Sequence, residues 1–551
     1  MGAPGQAPRF SGEFWLAPLA SIMRPEARDM LVIGYGGGVV VEGVAPNIRN
    51  IDVIELEPKV IDANRATEQL RRRNPLNDPR LNLIINDARG ALQLSARKYD
   101  VIVSQPSHPW TAGASHLYTL EFMSLAREHL NDDGVFIQWM NVAFVNESLL
   151  RSLTRTLQTA FGKVRIYRPD PFTLVFAASA GSLAPEQRLL ATGVPLSVSP
   201  AHYARYGIGG AEDLVFALAA DEEGAARLAQ GAALITDDRN RIATSTVFNF
   251  GSGLSAEQAG RLLAAYDPLQ NPDSWVYKQL GGRLAFDYII RRNANYLQLD
   301  RSLRDRAQHI IDALGPGADA RLGAWYLRRA QGDAAGAQRM AHENAELAPD
   351  HAASMYIALQ PEVTALRGAG PPAELAAEIA RLPDSARATL LGTGFAARSD
   401  YQNLAALDPV LATAAWTDTW RLDATVLRAD WRARVANSDR SKGFADQALE
   451  MLDRDAMFTP SPATFGLRLS AAVTADRPAV ALEAVDSLVS WDLGLLERPL
   501  SAPMRQRIRV RLTQLQPVLE QQASNPRLDP ARVGEVREKL RRAIEKAAAK
   551  G

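Results

Sequence analysis

MLVIGYGGGVVVEGVAPNIRNIDVIEL, residues 30–56, is the stretch that decides the fold. Met30–Gly34 is short, apolar and rich in β-branched residues, which reads as a buried strand. It runs into Gly34-Tyr-Gly-Gly-Gly38 and then into Val39–Val44, which reads as the start of a helix. Glycines at a strand-to-helix turn let main-chain N–H groups approach a ligand closely, and the helix N-terminus behind them favours a polar or anionic group. The next strand, Ile51–Leu56, carries Glu55 at its end, where a carboxylate can accept the hydroxyls of a bound ribose.

Outward from this unit the pattern repeats. Leu81–Ile85, Tyr99–Ser104 and Gly134–Trp139 are further strand-length runs, separated by helix-length amphipathic stretches such as Val60–Arg73 and Thr119–Leu130. Strands alternating with helices imply a mainly parallel sheet covered on both faces. Val164–Tyr167 and Phe172–Ala177 follow closely and suggest an antiparallel pair at one edge, the methyltransferase-type ending of a Rossmann-like α/β sheet. Asn86-Asp87-Ala88 follows the third strand, where Asp87 can accept from an adenine amino group. Turn glycines, Glu55 and Asp87 then sit at three successive strand ends, the edge at which open α/β sheets bind ligands.

Beyond about Gly251 the strand signal fades, and Ala, Leu, Arg, Glu and Gln recur at helical spacing. Gly323–Pro349 sets two small-residue helical stripes around a Gly-Asp turn, in the manner of a tetratricopeptide (TPR) helix pair. Phe465–Val485 is a weaker echo around Asp-Arg-Pro, and an irregular helical bundle fits the same pattern. The expected organisation is a linker or remnant of an amino-terminal subdomain over 1–29, a Rossmann-like domain over 30–250, a helical linker over 251–300 and an all-α, TPR-like domain over 301–551. The first eight residues lack the basic and apolar regions of a secretory signal.

Composition narrows the chemistry. Hydrophobic residues make up 47% and charged residues 23% of 551, ordinary globular values for a chain long enough for two domains. Lys plus Arg and Asp plus Glu both total 62, so no net charge argues for nucleic acid or an anionic membrane as partner. The absence of cysteine excludes disulfides and thiolate metal sites, and the seven histidines show no metal-ligand spacing, so no metal is expected. No apolar run is long enough to span a bilayer.

The ordered motifs G-x-G-G-G, IELEP, DPRLNLIINDA, YDVIVSQPSHPW, LYTLEF and GVFIQW resemble the polyamine aminopropyltransferase (spermidine synthase) family over roughly the first 180 residues. Leu234-Ile-Thr-Asp-Asp-Arg239, Pro106-Ser-His-Pro-Trp110 and Ala112-Gly-Ala-Ser115 are similar to bacterial members fused to a membrane segment. The resemblance implies a site for decarboxylated S-adenosylmethionine or S-adenosylmethionine, with Gly34, Gly36 and Gly38 near the methionine-derived portion, Glu55 on the ribose and Asp87 at the adenine. It also implies a location in the cytoplasm, or as the soluble part of a membrane-anchored protein, and a short or missing amino-terminal lid.

Against the family pattern three acids are replaced. The resemblance places a general base just after the YDVI strand and a second acid three residues on; Gln105 and His108 stand there. A third acid, in the glycine loop, is matched by Gly37. A glutamine takes no proton at any working pH, whereas His108 titrates near neutrality and is the alternative base. Tyr118 completes the candidate catalytic set, and His116 and Gln138 are candidates for the substrate pocket. Three readings follow: aminopropyl transfer to an unusual amine, S-adenosylmethionine-dependent methyl transfer, and a degenerate synthase-like domain whose helical half recruits a protein partner. A homodimer is a further expectation.

Overall fold

The computed structural model describes residues 12–548 apart from 67–73, 107–108, 110–112, 193–199, 249–252, 281–283, 293–296, 298–299, 367–369, 440–441, 454–460, 498–499 and 501. Eight strands form one sheet: β1 (Asp29–Ile33), β2 (Asn50–Glu55), β3 (Leu81–Ile85), β4 (Tyr99–Ser104), β5 (Leu130–Asn141), β6 (Lys163–Asp170), β7 (Thr173–Ser179) and β8 (Leu218–Ala220). Their order is β3-β2-β1-β4-β5-β7-β6-β8. The first five are parallel, and β7 lies antiparallel between β5 and β6. This is the Rossmann-like sheet with a methyltransferase-type ending that the strand pattern implies. The edge differs, because β8 pairs antiparallel with β6 and stands outside the β6/β7 pair. Three residues, Leu-Ala-Ala, carry no periodicity of their own to announce it.

Helices fill the crossovers: α1 (Leu16–Met23) ahead of β1, then α2 (Val39–Glu42), α3 (Pro58–Ala66), α4 (Ala88–Gln93), α5 (Leu120–Glu128) and α6 (Glu147–Phe161). α2 is only four residues long, shorter than the Val39–Val44 stretch suggests, because Gly43 follows it. β5 starts four residues before Gly134: Leu130 pairs with Tyr99, and after a bulge the register resumes at Val101 with Val135. On one face of the sheet, Leu31, Ile33, Ile102, Phe136 and Met140 pack with Phe122 and Met123 of α5 and Leu150, Leu153 and Leu157 of α6.

Residues 12–23, expected to belong to a linker or subdomain remnant, form one turn of 3₁₀ helix and then α1, in which every residue is buried. The sequence LAPLASIM has no charged face to offer water, so it packs on β4 and β5. Gly12 precedes it because its N–H donates to Asp170 at 2.6 Å and a Cβ there would lie 2.5 Å from the Thr173 side chain.

The described residues divide into two compact units, one within 12–337 and one within 338–548. Where the sequence suggests a linker over 251–300 and a new domain from 301, the helix Arg301–Leu314 lies in the sheet unit. Its Arg306 is buried, pairs with Asp267 at 2.6 Å and donates to the carbonyls of Phe216 and Leu218. Buried Arg168 likewise meets Asp300 at 2.8 Å. A desolvated guanidinium needs all its acceptors in place, which fixes this helix against the β8 edge.

The second unit is helical. Pro462–Thr474 opens with a Ser461/Thr464 capping box and is followed, across a turn with Asp476 at φ +57°, by Pro478–Leu496. The two pack through Ala471, Ala472, Ala481 and Ala484, small residues that let helix axes close together. No helix among the described residues is long and apolar enough to cross a membrane.

Candidate functional site

The chain leaves β1 and β4 toward opposite sides of the sheet, and their carboxyl ends mark the switch point at which open α/β sheets have their ligand crevice. Gly34 sits there at φ +89°, and a Cβ on it would lie 2.6 Å from the Gln105 carbonyl oxygen. Only glycine permits both that conformation and that approach. Gly36 (φ +52°) and Gly38 (φ +74°) complete a left-handed turn. The turn wraps the Glu55 carboxylate: Tyr35 and Gly36 donate their N–H groups to Oε2 at 2.9 and 3.3 Å, and Glu57 N–H donates to Oε1 at 3.0 Å. Asn64 on α3 donates to the Gly36 carbonyl at 2.8 Å and pins the turn from the other side. Glu55 is thus first an organiser of its own loop. A carboxylate offers about four acceptor positions, and these three N–H groups take three of them.

Asp87 is exposed at the end of β3 and caps α4, accepting Gly90 N–H at 2.7 Å. Two residues on, Arg89 forms a fork with Asp237 of the Thr-Asp-Asp-Arg segment, at 3.0 and 2.6 Å. Thr119 Oγ1 donates to the same carboxylate at 2.8 Å, and His116 Nδ1 stands 3.7 Å away. Hydrogen bonds from Arg89 outweigh desolvation and hold Asp237 below the ordinary carboxylate range. The Leu120 N–H to Ile235 carbonyl bond, 2.8 Å, fastens this segment beside the crevice. Sequence reading picked out the Thr-Asp-Asp motif but not its partner. Arg89, adjacent to Asn86-Asp87-Ala88, was the available signal.

The remaining candidates divide by burial. Gln105 is half-buried, and its N–H donates to the Ile33 carbonyl at 3.0 Å, which ties the ends of β1 and β4 together. His108 lies outside the described residues. His116 is exposed beside Asp237. Tyr118 is fully buried in the core beneath α5, and burial pushes its hydroxyl far above the usual phenol range. Gln138 is fully buried and donates through Nε2 to the carbonyls of Ser104 and Trp139 at 3.3 and 3.2 Å. The structure therefore brings the glycine turn, Glu55 and Gln105 together at one strand edge, with Asp87 and His116 linked through the Arg89–Asp237 pair. Among the described residues no group of His, Cys, Asp or Glu is placed to hold a metal ion.

Comparison with known proteins finds relatives of the first third of the chain. Residues 13–169 match the spermine/spermidine synthase domain family. The polyamine aminopropyltransferase of Erwinia tasmaniensis is 30% identical over 143 residues, 26% of this chain and 50% of that protein. The polyamine aminopropyltransferase of Methanocaldococcus jannaschii is 31% identical over 142 residues, 25% of this chain and 48% of that protein. The chain thus spans about half the length of the curated relatives it matches. A crystal structure of spermidine synthase in complex with the transition state analogue AdoDATO is 23% identical, with a TM-score of 0.30 over 32% of this chain and 63% of that one. Over residues 13–169 the chain is thus similar to the spermine/spermidine synthase domain family.

Proposed function

We propose that the sheet unit binds an adenosyl sulfonium, decarboxylated S-adenosylmethionine or S-adenosylmethionine, and works as a transferase of the aminopropyltransferase type. The observation that carries this reading is the Glu55 carboxylate, held at the end of β2 by three main-chain N–H groups against a turn of left-handed glycines. Such a turn presents main chain rather than side chain to a ligand. In this reading Glu55 Oε1 accepts from the ribose and Asp87 accepts from the adenine amino group, while Gly34 keeps the sulfonium end open between β1 and β4. The donor supplies a carbon activated by its neighbouring sulfonium.

The chain's own groups must then orient an acceptor and remove its proton. Gln105 cannot remove it, which leaves His108 and His116 as the candidate bases of the segment after β4. Calorimetric titration with 5′-methylthioadenosine and with both donors tests the site, and methylthioadenosine release with a panel of amines tests the reaction. Binding of none of the three ends the nucleoside reading; binding without release ends aminopropyl transfer to those amines.

A second reading rests on one observation: no Asp or Glu lies between Val101 and Leu120. Methyl transfer needs no carboxylate aimed at a donor amine, and a preference for S-adenosylmethionine over its decarboxylated form favours it. A domain that retains the nucleoside site without catalysis fits the same gap; the helical unit then serves a protein partner, as stacked helix pairs commonly do.

A further inference from the structure

Asp87 caps α4 with one oxygen only. Oδ2 accepts the Gly90 N–H at 2.7 Å, while Oδ1 accepts no hydrogen bond among the described residues. The residue is exposed, so this oxygen is free for a ligand's donor. Arg89 stands in the first turn of the same helix, and Asp87 is among the charges that act on its guanidinium. A guanidinium fork matches a carboxylate closely. With no other partner, Arg89 would turn to Asp87 and cover the oxygen that the adenine needs.

Asp237 prevents this. It takes both terminal nitrogens of Arg89, at 3.0 and 2.6 Å, and is itself fixed from the start of α5. Its N–H donates to Glu121 Oε2 at 2.9 Å, and the Leu120 N–H donates to the Ile235 carbonyl at 2.8 Å. Thr119 is fully buried at the N-cap position of α5, yet its side chain makes no cap bond; the hydroxyl donates to Asp237 Oδ1 at 2.8 Å. A threonine in that position ordinarily serves its own helix, so a local cap is given up to hold this carboxylate. The pair is about a third exposed, and such pairs add little stability. What the arrangement changes most is where the Arg89 cation lies.

We propose that Asp237 is a positioning residue for nucleoside recognition: it keeps the Arg89 guanidinium off Asp87 and so leaves Asp87 Oδ1 free to accept from the adenine 6-amino group. The proposal rests on the reading above in which Asp87 meets the adenine.

The test titrates the full chain by calorimetry with 5′-methylthioadenosine and with its analogue carrying hydrogen in place of the 6-amino group, and reads the ratio of the two affinities. The wild type is expected to favour the amino compound at least about tenfold, from one hydrogen bond to a charged acceptor. Asp237→Ala releases Arg89 onto Asp87 and is expected to lower this ratio about fivefold, while affinity for the analogue stays within about twofold of wild type. Asp237→Asn, which keeps a partner for Thr119, is expected to fall between them. Adding Arg89→Met to Asp237→Ala removes the competing cation and is expected to restore the ratio. A merely structural role for Asp237 lowers both affinities together and is not rescued by the loss of Arg89. Circular dichroism checks that each variant is folded. A ratio unchanged in the Asp237 variants, or no recovery in the double variant, overturns the proposal. Wild-type binding without preference for the amino group also overturns it and leaves the nucleoside site standing. No binding of either compound by the wild type ends the nucleoside reading itself, and the proposal falls with it.

Discussion

Replacing Glu55 by Gln tests whether this carboxylate both shapes the glycine turn and serves the nucleoside. In the wild type Oε2 takes the N–H groups of Tyr35 and Gly36 and Oε1 takes that of Glu57. A glutamine must point its N–H₂ at one of these donors whichever way it turns. Facing Glu57 sacrifices one bond and facing Tyr35 sacrifices two, so the first orientation wins. The loss is then one hydrogen bond to a charged acceptor, about 1.5–3 kcal/mol, with a smaller weakening of the other two. In the proposed reading the turn cradles the nucleoside, so that loss reappears in binding at a factor of ten per 1.4 kcal/mol. Glu55→Gln is therefore expected to bind 5′-methylthioadenosine about 10- to 100-fold more weakly by calorimetry, with a lower urea midpoint. Affinity within about threefold of wild type together with an unchanged midpoint would refute the reasoning.

Other expectations follow from the same geometry. Gly34→Ala puts a methyl group 2.6 Å from the Gln105 carbonyl oxygen at φ +89°; urea unfolding should show a loss of about 2–4 kcal/mol, and a wild-type curve contradicts the assignment. Asp237→Asn removes the charge from the Arg89 fork, whose side chains are about a third exposed, so the cost is modest, about 0.5–1 kcal/mol. The folded-state pKa of Asp237 is depressed, so this contribution is complete above the unfolded value near about 3.9 and disappears as pH falls below it. Stability curves of wild type and variant should run parallel from neutral pH to about pH 5 and converge only in stronger acid; convergence near neutrality counts against the pair. Arg306→Met leaves Asp267 buried without its cation and should cost about 3–5 kcal/mol, with faster hydrogen exchange confined first to 301–314. Uniform exchange across the unit would show that Arg306 does not fasten that helix.

The sheet was legible because strand runs of five or six residues, set between amphipathic helices, admit few arrangements once crossovers must be right-handed. The glycine turn was legible for a local reason: conformations with positive φ select glycine whatever surrounds them. α1 escaped because a fully buried helix has no polar face, and LAPLASIM lacks the periodicity by which amphipathic helices are recognised. β8 is too short for any pattern. The fork between Arg89 and Asp237 joins residues 148 apart, and no local pattern pairs one arginine with one aspartate among 62 basic and 62 acidic residues.

What the sequence by itself determined is what depends on neighbours along the chain: the order of strands, the glycine turn and the carboxylate at the end of β2. Only the tertiary structure decided which polar atoms are buried and with whom they pair. It turned Glu55 toward its own loop, committed Asp237 to Arg89 and drew the helix Arg301–Leu314 into the sheet unit. Hydrogen bonding and desolvation act through space at about 3 Å, and the partners that settle each group's state lie tens of residues away in sequence.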